Sequence, residues 1–208
     1  MLNAGQMPAG SPPRKRGAVR RSRLAPEARR EAILAGARRA LLRSGLGATT
    51  MDDIASAAGV AKGTPYLYFP SKAELVAAVR AWYGEKLVEA ARSVLSTEGR
   101  PATAAERLEA LTLAMFDFVA KNRALHHVLF FETDASEEEL LRPAIGMVAE
   151  LLSSAMAAGE LRAGNARFLA SVVVAGTHSA MLPALHTEPP DRAGFAALSR
   201  DLIARLFH

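Results

Sequence analysis

Residues 49–72 read TTMDDIASAAGVAKGTPYLYFPSK, and this stretch predicts two short helices joined by a tight turn. Thr50 is a favourable N-cap residue, and Asp53, three positions later, can return its carboxylate to the Thr50 amide as in a capping box. Gly59 can adopt the left-handed conformation that ends a helix, and Val60 can fill the angle between the two helices. Small residues at the crossing allow the two backbones to approach closely.

The second helix of this pair is predicted from about Lys62 to Phe69, with Pro65 in its first turn, where a missing amide costs little. Its exposed face carries one cation and three hydroxyl groups, from Lys62, Thr64, Tyr66 and Tyr68. A helix with such a face fits the major groove of DNA. The alternative is an ordinary helical hairpin with a polar surface. The polar and aromatic face beside a basic flanking sequence favours the DNA-binding interpretation over this one.

The same region resembles the DNA-binding helix-turn-helix of the TetR family of transcriptional regulators. The resemblance is carried by TTMDDIA, AAGVAKGT, YLYF and PSKAELV within residues 49–76, and by REAILAGARRALLRSG at 30–45. Pro65 departs from the family pattern, which more often has a larger aliphatic residue there. The resemblance implies an all-α fold, with an N-terminal three-helix DNA-binding domain followed by a C-terminal helical domain for ligand binding and dimerisation.

Seven residues are predicted to meet DNA. Thr50, Thr64 and Lys72 are expected to contact phosphate. For Lys72 the reason is its place in the first turn of a helix, where a cation is unfavourable next to the helix dipole unless it faces an anion. Major-groove contacts are expected from Lys62, Tyr66 and Tyr68, and Gly63 allows close backbone approach.

The charge of the chain is concentrated at its N-terminal end. Residues 1–72 hold 13 Lys and Arg against four Asp and Glu, whereas residues 73–208 hold 13 against 17. A basic half that coincides with the helix-turn-helix is the electrostatic pattern of a protein that binds phosphate. We predict a disordered basic arm at 1–23, which either lies along DNA or is a solvated tail.

Further helices are predicted by apolar periodicity and by capping residues. The DNA-binding domain is assigned to 24–72 and the effector-binding and dimerisation domain to 73–208, with a connecting helix at about 71–96. A first helix is expected to end at Gly45, and Pro143 is expected to break or kink a later helix. The predicted helices span about 26–44, 71–96, 102–122, 124–133, 136–158 (interrupted at 143), 165–185 and 192–207, with a break at 97–101.

Of the last two long helices, the first carries a strip of small residues (Ala175, Gly176, Ser179 and Ala180) and the second an apolar stripe (Phe195, Leu198, Leu202 and Leu206). Helices of this kind pair with each other, and their remaining faces either pack in the core or join a second copy as a four-helix bundle. The family resemblance favours a homodimer formed through these two helices.

The resemblance also implies a pocket for a small effector in the C-terminal domain. The candidate wall residues are aromatic, methionine and histidine side chains: Met115, Phe116, Phe118, His127, Phe130, Phe131, Met147, His178 and Met181. For each of them, a role in the ordinary core is the alternative. Because few charged residues interrupt the apolar runs, we expect a lipophilic or aromatic effector.

Other classes of protein find less support in the sequence. There is no cysteine, no phosphate-binding loop and no nucleophile elbow, and no metal site or cofactor is expected. No apolar run is expected to reach the roughly 20 residues of a membrane helix, so a cytoplasmic protein is predicted. The hypothesis is a ligand-responsive repressor that binds a palindromic operator as a dimer. The rival is an all-helical carrier or enzyme with an incidental basic tail.

Overall fold

The computed structural model of the chain describes residues 25–95, 103–132 and 136–207. All regular elements in these residues are helical, which confirms the predicted all-α fold. They are α1 (Pro26–Ala48), α2 (Met51–Ala58), a 3-10 segment (Pro65–Leu67), α3 (Lys72–Ser93), α4 (Ala104–Lys121), α5 (Arg123–Phe131), α6 (Glu137–Ala157), α7 (Ala166–Leu185) and α8 (Arg192–Phe207). The predictions for the arm at 1–23 and the break at 97–101 lie outside the described residues.

Polar caps explain where most of these helices begin. The Thr103 hydroxyl accepts the Glu106 amide while the Glu106 carboxylate accepts the Thr103 amide, a complete capping box at the start of α4. Ser71, Ser136 and Asn165 cap α3, α6 and α7 through one side-chain hydrogen bond each. Such caps satisfy amides that the first turn of a helix leaves without a partner.

A glycine and a proline were predicted to interrupt helices, and the structure bears out the first but not a break at the second. At Gly45 the backbone takes φ 72° and ψ 175°, outside helical conformation, so the first helical stretch ends there as predicted, and a short second stretch continues α1 across this kink to Ala48. Pro143 lies inside the continuous helix α6 and does not break it. Its ring packs on Gly84 of α3, where an added methyl group would come within 2.8 Å of the Pro143 Cγ atom.

The core of the N-terminal part, here called the head, draws on more than the first helices. Its buried cluster joins α1 and α2 to Leu75 and Val79 of α3 and to Leu125 and Leu129 of α5. One face of α5, which lies beyond residue 72 in sequence, therefore belongs to the head core. The predicted domain division at residue 72 stays a prediction.

A second buried cluster forms the body of the molecule. Leu87 and Ala91 of α3 pack there with the apolar faces of α4, α6, α7 and α8. Phe116 of α4 stacks on Phe195 of α8, with ring centroids 4.7 Å apart. Helix α3 therefore connects the two clusters and contributes side chains to both.

Two helices are long and apolar enough, by length and composition, to cross a membrane: Glu139–Ala157 in α6 and Ala166–Leu185 in α7. The expectation that no such stretch exists was therefore wrong. These helices pack on each other and place Val148, Leu152 and Val174 in the body core. Because core helices of water-soluble proteins have the same composition, the two segments are weak evidence for a membrane.

Candidate nucleic-acid interface and internal cavity

The start of α2 is fixed by the predicted capping box. The Thr50 hydroxyl donates to Asp53 Oδ2 at 2.6 Å, the Thr50 amide donates to the same oxygen at 2.9 Å, and the Asp53 amide donates to the Thr50 hydroxyl at 3.2 Å. The hydrogen bonds from Thr50 lower the pKa of the Asp53 carboxyl below its usual value. The ionised carboxylate at this helix start also faces the positive end of the helix dipole.

The turn after α2 takes the predicted geometry. Gly59 has φ 68°, in the left-handed region, and the Val60 amide donates to the Ala55 carbonyl at 3.0 Å. Helix α1 crosses α2 at Gly36, where an added Cβ would lie 2.7 Å from the Ala58 Cβ and backbone nitrogen. The close approach expected from small residues thus depends on a glycine in α1 as well as on the alanine in α2.

The recognition segment, defined here as residues 62–69, is shorter in regular structure than predicted. Only Pro65–Leu67 is regular, as a 3-10 helix, and the Tyr68 amide donates to the Pro65 carbonyl three residues earlier. The prediction of a helix over 62–69 was therefore wrong in extent and type. Pro65 has no amide to donate, and the bonds around it form one short turn, in which the Phe69 amide also donates to the Pro65 carbonyl at 2.9 Å.

Burial divides the recognition segment into an inner and an outer side. Pro65 and Phe69 are buried in the head, Thr64 and Tyr68 are half-buried, and Lys62, Tyr66 and Leu67 are exposed. Gly63 is also exposed and has open space around the position of a Cβ atom. The outer side therefore consists of a cation, an aromatic hydroxyl and an apolar side chain.

Three of the predicted DNA contacts have partners within the chain. The Lys62 ammonium lies 2.8 Å from Asp52 Oδ2, and this carboxylate raises the pKa of Lys62 above its usual value. Lys72 donates to the Leu46 carbonyl at 2.5 Å and so links α3 to the end of α1. Thr50 is exposed, and its hydroxyl donates to Asp53. The assignment of these residues to DNA stays a prediction.

A cavity of about 30 Å³ lies between α3, α4, α5, α6 and α7. Its wall is mostly apolar, with a polar region formed by Tyr83, His126, Thr177 and His178. The complete lining is Tyr83, Gly84, Leu87, Met115, Val119, His126, Phe130, Leu140, Leu141, Ala144, Val174, Thr177, His178 and Met181. Four of the nine residues predicted for an effector pocket are among them: Met115, Phe130, His178 and Met181.

The other five predicted pocket residues lie elsewhere. Phe116 is in the body core, and Phe118 packs edge-on against Tyr83, with ring centroids 5.2 Å apart. His127 and Phe131 are exposed on α5. Met147 borders a separate groove between α3, α4 and α6. Whether any of these residues touches an effector stays a prediction.

The polar region of the cavity is a chain of three buried side chains that the sequence did not reveal. The Tyr83 hydroxyl lies 3.2 Å from His126 Nδ1, and His126 Nε2 lies 3.2 Å from His178 Nε2. One of the two Nε2 atoms must carry the proton that the other accepts. Burial, followed by the neighbouring His178 and His127 rings, lowers the pKa of His126 to about 3, and burial raises that of Tyr83.

Helix α5 connects this cavity to the head. His126 and Phe130 line the cavity, whereas Leu125 and Leu129 belong to the head core. Just after the helix, Glu132 Oε2 accepts the amide of Leu46 at 2.7 Å, at the kink of α1. The two described histidines of the cavity are not joined by a third Cys, His, Asp or Glu, and the described residues form no group of three such side chains.

The helix-turn-helix region matches a known protein family. Residues 33–79 match the family described as bacterial regulatory proteins, tetR family, a span from the buried stripe of α1 to the middle of α3. The HTH-type transcriptional activator FasR of Mycolicibacterium smegmatis is 32% identical over 139 residues, which cover 66% of this chain and 61% of FasR. The helix-turn-helix region of the chain therefore matches the TetR family.

Solved structures of two transcriptional regulators share the fold described above. FadR from Bacillus subtilis, in complex with stearoyl-CoA, is 22% identical with a TM-score of 0.66, covering 86% of this chain and 99% of that one. SmeT, the repressor of the Stenotrophomonas maltophilia multidrug efflux pump SmeDEF, is 23% identical with a TM-score of 0.64, covering 85% and 88%. At these identities the similarity shows the fold alone.

Proposed function

We propose that this chain is a cytoplasmic, ligand-responsive transcriptional regulator of the TetR family that binds a palindromic operator as a dimer and represses transcription until a small effector releases it. The observation that carries the proposal is the recognition segment. A capped helix-turn-helix holds Lys62 and Tyr66 on an exposed surface of the basic half of the chain. The similar proteins FasR and SmeT are named as a transcriptional activator and a repressor, which favours this class over an all-helical enzyme or carrier.

On DNA, the exposed side of the recognition segment faces the major groove. Lys62 and Tyr66 present a donor and a hydroxyl to base edges, with Tyr68 beside them, and Gly63 leaves room for the backbone. Thr50, Thr64 and Lys72 lie at the flanks and bind phosphate. For this, Lys62 has to release Asp52, an exchange between exposed groups that costs little because both are well solvated.

The dimer forms through α7 and α8. On α7, Phe168, Val172, Ala175, Gly176 and Ser179 are exposed and recur at the spacing of one helix face. On α8, Leu198 and Leu202 are 62% and 40% exposed, one turn apart. Apolar faces on two adjacent helices are buried when a second copy completes a four-helix bundle.

The effector enters the body at the cavity. Its largely apolar wall favours a lipophilic molecule, and the relative FadR was solved with stearoyl-CoA. A space of about 30 Å³ holds little more than a water molecule. An effector must therefore displace wall side chains, of which His126 and Phe130 belong to α5. Because α5 also packs in the head and Glu132 binds the Leu46 amide, this displacement changes the position of the head.

The test is selection of bound sequences from random duplex DNA by the purified protein. We expect a palindromic consensus, with affinity that falls steeply as salt rises because phosphate contacts release counterions. Lys62→Ala and Tyr66→Ala should each weaken binding to this consensus on the order of tenfold. Arg162→Ala, an exposed cation between α6 and α7, is the matched control and should leave affinity unchanged.

Two results would reject the proposal: no enrichment of any sequence at low salt, or unchanged affinity in both Lys62→Ala and Tyr66→Ala. A reporter gene placed behind the selected operator decides the direction of control. Repression without effector is expected; activation would place the chain with its relative FasR, which is a transcriptional activator.

A further inference from the structure

Leu67 has the greatest exposure among the large apolar side chains of the described residues, at 82%. It lies at the end of the 3-10 segment, where its amide donates to the Thr64 carbonyl at 3.1 Å. Pro65 and Phe69, each two residues away from it, are buried. With these two residues buried, Leu67 is held on the outside of the segment, where most of its side chain faces solvent.

A single exposed leucine is ordinary on a protein surface. Leu67 differs because of its neighbours. It lies beside Tyr66, which is 52% exposed, and one turn after Gly63 and Lys62, the latter with 82% of its side chain exposed. The four residues form one continuous outer side of the recognition segment, and this is the surface that the proposed function places in the major groove.

The major groove presents donors, acceptors and one apolar group, the C5 methyl of thymine. An isobutyl side chain cannot pair with the donors or acceptors, but it gains free energy by burial against a methyl group. We propose that Leu67 recognises a thymine methyl group and thereby specifies a thymine in each half-site of the operator. This inference rests on the proposed function and adds a specificity-determining residue to it.

The contact can be tested at the level of one methyl group. In the operator obtained by selection, each thymine is replaced in turn by deoxyuridine, which removes the methyl and leaves base pairing intact. At one thymine per half-site, the wild-type protein should lose on the order of fourfold in affinity, or roughly fifteenfold when both half-sites are changed. At the other thymines, the change should have less effect.

The Leu67→Ala variant completes a double-mutant cycle with this DNA. It should bind the thymine operator less tightly than the wild type, and the deoxyuridine change should cost it no further affinity, because the partner side chain is already missing. Leu67→Met keeps an apolar side chain and should retain sensitivity to the methyl group. Leu42→Ala, at a leucine of α1 that is 51% exposed, is the control and should respond to deoxyuridine as the wild type does.

Additive effects of Leu67→Ala and deoxyuridine at every thymine would overturn the inference, as would wild-type affinity in Leu67→Ala. Both results leave the proposed function intact, because the wild-type protein still binds its operator. Failure of the wild type to bind any duplex would instead reject the proposed function and the inference with it.

Discussion

His126 shows how one buried residue sets the response of the protein to acid. It is 4% exposed, stacks on Phe130 with centroids 4.1 Å apart, and contacts Tyr83 and His178. Burial removes water from the ring and two further imidazoles, His178 and His127, lie nearby, so the charged form is disfavoured. The pKa therefore falls from its ordinary 6.5 to about 3.

This lowered pKa predicts a loss of stability in acid. Between pH 6.5 and pH 3 the unfolded chain takes up a proton at His126 that the folded chain does not bind, so the free energy of unfolding decreases as the pH falls. From pH 7 to pH 5 the contribution of this residue is about 2 kcal/mol. Above pH 7 it has no effect, because the histidine is neutral in both states.

Urea denaturation at pH 5, 6 and 7 measures this contribution. His126→Gln keeps polar atoms in the cavity but does not titrate, and its stability should fall less between pH 7 and pH 5 than that of the wild type. His127→Gln makes the same change at the exposed neighbour and should keep the wild-type slope. An identical pH dependence in His126→Gln and the wild type would contradict the prediction.

The same pair of histidines marks a limit of sequence analysis. A short helix was predicted at about 124–133 and is present at 123–131, but His127 was chosen for the pocket, whereas His126 lines the cavity. Adjacent residues on a helix point about 100° apart. Because α5 is buried on one side by the head and on another by the body, the choice depends on packing that local periodicity does not contain.

The crossing of α1 and α2 leaves no space for a side chain at Gly36. Gly36→Ala would place a methyl group 2.7 Å from the backbone of Ala58 and should destabilise the protein by about 1–3 kcal/mol as the helices separate. Gly47→Ala, in the same helix but with open space around it, should be neutral or slightly stabilising because alanine favours helix.

Denaturant midpoints of the two glycine variants and the wild type test this prediction. Equal stability of Gly36→Ala and Gly47→Ala would show that the two helices can separate without loss, contrary to the tight crossing. Operator affinity of Gly36→Ala should also fall, because α2 positions the recognition segment.

The elements that were predicted well are those whose ends are encoded locally. Thr50 with Asp53, Gly59, Ser71 and Ser136 mark helix ends through their own hydrogen bonds or conformation. The recognition segment was predicted as a longer helix because its composition permits one. Regular helix does not extend beyond the short 3-10 turn at Pro65, whereas α6 continues through its own proline, Pro143. In α6 many other bonds and the contact with Gly84 hold the helix together, and this support comes from the tertiary structure.

At the scale of the whole molecule, the proposed dimer makes the exposed face of α7 and α8 the region most sensitive to charge. Leu198→Glu would bury carboxylates at the centre of the interface and should convert the dimer to monomers, because their desolvation is uncompensated. Sedimentation velocity measures the mass directly. Leu42→Glu, on the head, introduces the same charge at a similarly exposed leucine and should remain dimeric.

A wild-type monomer, or a Leu198→Glu variant that stays dimeric, would contradict the proposed interface. Loss of operator binding should accompany loss of the dimer, since one head offers too few contacts for tight specific binding. The small-residue strip of α7 and the apolar stripe of α8 were visible in the sequence. The structure adds which members face outward: Phe195 is buried in the body, whereas Leu198 and Leu202 are exposed.

The length of helix α3 determines how far a small tilt of this helix would move the head. It begins at Lys72, which binds the end of α1, and its middle residues Tyr83, Gly84 and Leu87 line the cavity. With 22 residues, its axis is about 33 Å long. A tilt of roughly six degrees about one end would move the other end by about 3.4 Å, the rise of one base pair along a DNA strand. An angular change that small would be enough to put a recognition segment out of register by a full nucleotide step.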